Sequence, residues 1–284
     1  MKIVKLEDFH AAETAYAEVL PLLQHALGPA HTITLSAMVN RAYNDSGMAE
    51  FDAAERLVNE AMAAATRSLG AEHPITLSAQ NILGVIFRDR GRLADAARLQ
   101  AEVLATRRRV LGAEHPNTLV SIYQLGLTEQ ALGKFDDALA HQRQALEARQ
   151  RKLGPANAAT LLSLEAVGAL LNQKGDFAAA EPLLRQAWNR RRATTPDQWR
   201  MFSTQSLLGE ALTGLNRFDE AESLLLPAQA GLQRLADKIP ARNRTVTAET
   251  ATRLAQLYSA WEKPAEASRW RRELSATPEI KIPK

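Results

Sequence analysis

Apolar residues along this chain recur at intervals of three and four, as in Ile82, Val85 and Ile86, and then Leu93, Ala96, Leu99 and Val103. Such spacing puts the apolar side chains on one face of a helix, whereas a half-buried strand would alternate with period two. The blocks come in pairs separated by glycine-bearing breaks, and none of them alternates. The pattern therefore predicts an all-α chain of about thirteen amphipathic helices.

The pairs repeat. LGPAHTITL begins at Leu27, LGAEHPITL at Leu69, LGAEHPNTL at Leu111 and LGPANAATL at Leu153, a step of 42 residues each time. A second marker, an aromatic residue or Leu followed three places on by Ala, falls at Phe9/Ala12, Phe51/Ala54, Leu93/Ala96, Phe135/Ala138, Phe177/Ala180 and Phe218/Ala221. A weaker copy follows at Pro264/Ala267, after a longer loop around Asp237 to Asn243. A fixed period in this range signals a solenoid of stacked helix pairs. Gly70, Gly112 and Gly154 are expected at left-handed C-caps, Pro74 and Pro116 in first turns, and Gly91, Gly133 and Gly175 at the reversal inside each pair. Ala42, Gly84, Gly126, Gly168, Gly209 and Ala255 share one position of the first helix, and the Ala series shares one position of the second. Both series are expected where two helices cross closely.

Small residues at these two positions resemble the signature of the tetratricopeptide repeat, in its longer 42-residue, kinesin light chain-like variety. The resemblance implies a right-handed superhelical solenoid of helix-turn-helix repeats. It would form a single array over 1–284: an unpaired second helix in 1–26, repeats at 27–68, 69–110, 111–152, 153–194 and 195–240, a capping repeat at 241–276 and a tail at 277–284. NILGVIFRDRG, from Asn81 to Gly91, looks like an early kinesin light chain repeat. The stretch from Trp199 through QSLLGEAL, FDEAESLLL and RLAQLYSAWEKPAEASRWRREL is similar to the C-terminal repeat arrays of bacterial eukaryotic-type serine/threonine kinases. The kinase motifs themselves are missing from the chain.

Composition narrows the function. Lys and Arg number 35 against 32 Asp and Glu, a net charge of +3, and there is no cysteine. Near balance does not point to nucleic acid, and a chain without thiols has neither disulfides nor thiolate metal sites. No run of eighteen apolar residues and no signal-like N-terminus occur, so a cytoplasmic protein is expected. Nucleophile elbow, dinucleotide fingerprint, Walker loop and His-Glu-x-x-His are all missing, which predicts no enzyme and no cofactor. His31, His73 and His115 hold the same loop position one repeat apart, so they cannot converge on a metal, and each is expected to cap the helix that follows. The acidic pairs Asp136/Asp137 and Asp219/Glu220 suit the first turn of a helix. Basic clusters at Arg107 to Arg109, Arg149 to Lys152 and Arg190 to Arg192 are expected as a stripe along one edge, at the C-terminal ends of second helices. The aromatic and Leu markers are expected in the core between hairpins. Trp188, Trp199, Trp261 and Trp270 are expected to seal the C-terminal end.

The resemblance also implies a site. First helices would face a concave groove, lined by Val39 and Tyr43, Asn81 and Val85, Tyr123 and Leu127, Glu165 and Ala169, and Ser206 and Glu210, with Arg88, Gln130 and Asn172 one turn further on. Asn81, Arg88, Tyr123, Gln130, Glu165, Asn172 and Glu210 are the expected partner-binding residues. Of these, Asn81, Arg88 and Tyr123 are expected to hold an extended segment carrying an acidic side chain. The function expected is a protein-interaction scaffold in bacterial signalling. A regulatory array acting with a kinase domain, or a module self-associating through its open N-terminal helix, are the alternatives.

Overall fold

The computed structural model describes residues 9–276; residues 1–8 and the 277–284 tail lie outside the described residues. Thirteen α-helices and no strand occupy the described part: α1 (Phe9–Leu27), α2 (Thr32–Gly47), α3 (Phe51–Leu69), α4 (Pro74–Asp89), α5 (Leu93–Leu111), α6 (Pro116–Ala131), α7 (Phe135–Leu153), α8 (Ala158–Gln173), α9 (Phe177–Thr194), α10 (Trp199–Gly214), α11 (Phe218–Arg234), α12 (Thr245–Ala260) and α13 (Pro264–Ala276). Two short 3-10 turns, Ala236–Lys238 and Ala241–Asn243, separate α11 from α12. The fold is an all-α repeat solenoid, as the period predicts.

The chain forms two compact units. The first holds the described residues up to Lys134 together with Pro240–Arg242, and the second holds Phe135–Ile239 and the described residues from Asn243 on. In the first, α2, α3 and α4 pack in sequence around Leu35, Met38, Ala42, Val58, Ala61, Leu83 and Ile86. In the second, α8 to α13 enclose Leu164, Leu184, Leu208, Leu225, Leu254 and Trp270. The small residues act as anticipated. A β-carbon on Gly84 would meet Gln100 Cγ at 2.7 Å, and on Gly168 or Gly209 it would meet Leu184 or Leu225 at 2.5 Å. The Ala positions Ala54, Ala96, Ala138, Ala180 and Ala221 are fully buried.

Helix ends follow the sequence chemistry, with one correction. His31, His73 and His115 Nδ1 accept the backbone N–H of Ile33, Ile75 and Asn117 at 3.2 Å, and Asn157 Oδ1 accepts from Ala159 at 2.9 Å. These are side-chain N-caps, satisfying donors that the first turn leaves free. Gly70 and Gly112, however, have φ 96° and 91° with ψ 162° and 159°, not the left-handed helical values expected. That extended, positive-φ region is open to glycine almost alone. The reversal inside each pair is a Schellman turn, with Arg92 N–H bonded to Phe87 O at 2.8 Å and Gly91 at φ 77°. Where glycine is missing from that position, Ala49, Asn216 and Glu262 take φ of 66°, 58° and 57°.

Three further expectations change. The aromatic and Leu markers sit at the rim of the core: Phe51 is buried, but Phe135 is 37% exposed and Leu93, Phe177 and Phe218 are half-buried. Phe177 still reaches the next repeat, filling the space where a Gly214 side chain would go, and Phe218 stacks on Trp261. The basic clusters do not form a uniform edge stripe either. Arg108, Arg109, Arg151, Arg190 and Arg192 are exposed, while Arg107, Arg149 and Arg191 are 2–4% exposed and point inward. Arg107 donates to Asn117 O and Ser121 Oγ at 2.8 Å and to Ser78 Oγ at 3.1 Å. Arg149 repeats the pattern on Ala159 O and Ser163 Oγ. Burial pulls the Arg107 pKa down to about 10, which leaves it charged at neutral pH. Trp261 and Trp270 pack in the last helix pair as expected, but Trp199 belongs to a separate cluster with Leu232, Leu235, Ile239 and Val246.

Candidate protein-binding face

First helices carry the residues that the sequence singles out, so the face they present in each unit is the candidate site. In the first unit these helices are α2, α4 and α6, and each is fixed at its start by a histidine cap. Tyr43, Arg88, Tyr123 and Gln130 are half-buried there, each with part of its side chain at the surface. Asn81 departs from the expectation. It is 3% exposed, and its Oδ1 accepts a 3.3 Å bond from Ser121 Oγ, itself the acceptor of Arg107. The amide thus ties α4 to α6 beneath the face and is not open to a ligand. A buried chain of this kind, with its polar groups satisfied, holds the side chains above it in place.

Arg88 is also committed. Its Nε and Nη2 donate to Asp89 Oδ1 at 3.2 and 3.0 Å, and Nη1 donates to Gln124 Oε1 at 2.8 Å. Its charge is compensated and its fork engaged, so the acid-binding role expected for it has no free donor geometry behind it. Ser46 Oγ donates to the other oxygen of Asp89 at 3.1 Å. Beside it, Arg41 pairs with Glu13 at 2.7 Å and lies 3.9 Å from Asp45. Burial, reinforced by the bond to and charge of Glu13, pushes the Asp45 carboxyl up to about 7. Carboxylates and guanidinium groups are thus paired with one another at this end of the face, which leaves no set of open cations for an acidic segment.

In the second unit Glu165 accepts from Arg191 Nε and from Thr204 Oγ1, linking α8, α9 and α10. Asn172 is 4% exposed and donates to Leu207 O at 2.9 Å, so it too joins repeats from inside. Glu210 is more open and accepts from Arg253 Nε at 2.7 Å. Glu210 and Arg253 line a shallow pocket of about 390 Å³ with Phe177, Thr213 and Gln256. Of the seven expected residues, Asn81 and Asn172 are buried and serve the framework, Arg88, Glu165 and Glu210 are half-buried and bonded to neighbouring side chains, and Tyr123 and Gln130 are half-buried. Tyr43, beside Asp89, was selected only as a lining position. The buried threonines Thr76 and Thr118, which donate back to Gly70 O and Gly112 O at 2.8 and 2.9 Å, went unremarked although they recur in every copy of the first marker.

Among the described residues no group of three or more His, Asp or Glu gathers as metal ligands, and no helix is long and apolar enough to cross a membrane.

A tetratricopeptide repeat model matches residues 46–109, 75–151 and 120–193, more than half of the chain in all. None of the curated protein sequences compared matches it. Among solved structures, a Podosopora anserina kinesin light chain protein of nearly identical TPR-like repeats is similar at 22% identity and a TM-score of 0.58, covering 72% of this chain and 97% of its own. BtubC (BKLC) from P. vanneervenii is 20% identical with a TM-score of 0.64, over 80% of this chain and 91% of that one. A Rap protein complexed with Competence and Sporulation Factor is 14% identical with a TM-score of 0.66, over 96% and 70%. At these identities the likeness concerns the fold.

Proposed function

Since the chain belongs to the tetratricopeptide repeat family, we propose that it is a protein-interaction scaffold that holds an extended partner segment along the first-helix face of its repeats, in a signalling role. The observation that carries this reading is the row Tyr43, Arg88, Tyr123 and Gln130 on three successive first helices, half-buried and backed by the Arg107–Ser121–Asn81 network. The tyrosine rings lose little freedom on binding, and Arg88 is already held by Asp89 and Gln124, which favours them as contacts. The Rap protein of similar fold is described in complex with a factor, and an array of this kind has the surface to accommodate one.

The test is site-resolved cross-linking. A photoreactive phenylalanine replaces Tyr43 or Tyr123 in one pair of variants, and Arg98, an exposed second-helix residue, in a third. Cross-linked partners from the first two positions and none from the third support the reading. Partners captured chiefly through position 98 refute it and move the binding surface to the second helices.

A further inference from the structure

Within the first unit, one side chain lies against this face. Arg242, from the segment Pro240–Arg242, sets its guanidinium carbon 4.4 Å from the centre of the Tyr43 ring and Nη1 3.7 Å from Asp89 Oδ2. Its side chain is 13% exposed and that of Asp89 is 10%. The carboxylate is positioned before the cation arrives: Arg88 holds one oxygen and Ser46 the other.

We propose that Tyr43 and Asp89 form a guanidinium-recognising site, that its ligand is an arginine-bearing segment of a partner protein, and that Arg242 stands in for that arginine. The proposal rests on the scaffold reading above and gives it a ligand class. One geometric fact favours arginine over lysine. The guanidinium carbon stands 4.4 Å from the ring centre while a terminal nitrogen of the same group stands 3.7 Å from a carboxylate oxygen, a span that suits a planar, delocalised cation. The surroundings also offer no ready donor to an anion, since Arg88 is bound to Asp89 and Arg41 to Glu13. Both partly desolvated walls strengthen the attraction relative to an exposed pair. The resident arginine is the middle residue of the 3-10 turn Ala241–Asn243, directly after Pro240. A short turn of a partner chain, with no long helix, would be enough to deliver such a side chain.

The experiment uses the full chain and a fluorescein-labelled peptide of residues 237–244. The Arg242→Ala protein, whose site is vacated, should bind the peptide, and the wild-type protein should bind it about tenfold more weakly, because the resident arginine competes. Peptides carrying Arg242→Lys or Arg242→Ala, which retain Arg244, should each lose several-fold to about tenfold in affinity. In the Arg242→Ala protein, Tyr43→Phe should keep binding and Tyr43→Leu should lose it, as should Asp89→Asn. Circular dichroism separates loss of the site from loss of the fold. Equal binding of the parent and Arg242→Ala peptides overturns the proposal, as does no binding to the vacated site up to about 1 mM peptide. Either failure leaves the cross-linking result at positions 43 and 123 intact, so the two readings stand or fall separately.

Discussion

Gly209→Ala tests whether the small residues of the first helices are spacers or mere helix weaknesses. Alanine in a helix interior is favoured over glycine by about 1 kcal/mol, so propensity alone predicts stabilisation. Packing opposes it. The new β-carbon would stand 2.5 Å from Leu225 Cγ and 2.8 Å from Cδ2, against ordinary carbon contacts of about 3.5–4 Å. Leu225 is fully buried in the core of the second unit, so a shift of about 1 Å propagates into α11 and the helices beyond it. Overpacking of that kind costs about 1–3 kcal/mol, enough to cancel or exceed the propensity gain. The chain itself suggests the compensation: the equivalent position in an earlier repeat is Ala42, and the residue sixteen places on is Val58 instead of Leu. Leu225→Val alone should cost about 1 kcal/mol as a cavity, but combined with Gly209→Ala it should restore most of the loss. Denaturant unfolding followed by far-ultraviolet circular dichroism gives the cycle, read where the denaturant slope is unchanged among the four proteins. A favourable coupling of about 1 kcal/mol or more is expected. Additive effects, or a Gly209→Ala variant more stable than wild type, would show that the close approach of α10 and α11 does not govern this position.

Ala49→Gly should stabilise the chain by about 1 kcal/mol, because Ala49 holds the left-handed φ of 66° that Gly91 and Gly133 adopt freely one and two repeats on; a lower midpoint in the same unfolding assay would contradict this. His115→Ala should cost about 1 kcal/mol and His115→Asn almost nothing, since Asn157 makes the same cap one repeat later; equal losses in the two melts would refute the capping role. The Asp45 carboxyl rises from 3.8 to about 7 on folding, so between those values the folded chain binds the extra proton. Stability must then fall as pH rises from about 4 to 7. Asp45→Asn, which stays neutral, should flatten that part of the midpoint-versus-pH curve, and an unchanged slope would discount the burial of this group.

How much was legible in sequence divides by distance along the chain. His73 capping Ile75 and Gly91 turning the pair are contacts within a few residues, and their chemistry is written locally. Arg107 is different. Next to Arg108 and Arg109 at a helix end it reads as dipole compensation, and only its acceptors, Ser78 and Ser121, 29 and 14 residues away, draw it inside. Asn81 escapes a sequence reading for the same reason, since an amide on a first helix points to ligand or to neighbour depending on whether a hydroxyl waits on the next repeat. Phe135 kept the right register and still came out exposed, because periodicity gives the facing of a residue but not how far the neighbouring hairpin extends over it. The resident Arg242 is 153 residues from Asp89 in sequence and carries no motif.

The inward arginines give the array a unit of account. Arg107 and Arg149 each reach a serine fourteen positions on, across the joint to the next helix pair. Splicing in or cutting out 42 residues at such a joint would return the guanidinium of Arg107 or Arg149 to an equivalent hydroxyl and carbonyl. Inserting a standard repeat of about 34 residues would change the height of the incoming helix and strand a buried cation, a loss of several kcal/mol. Growth and shrinkage of the interior of this protein are therefore quantised: duplication in steps of 42 preserves the joints, and other steps meet a charge with nowhere to go.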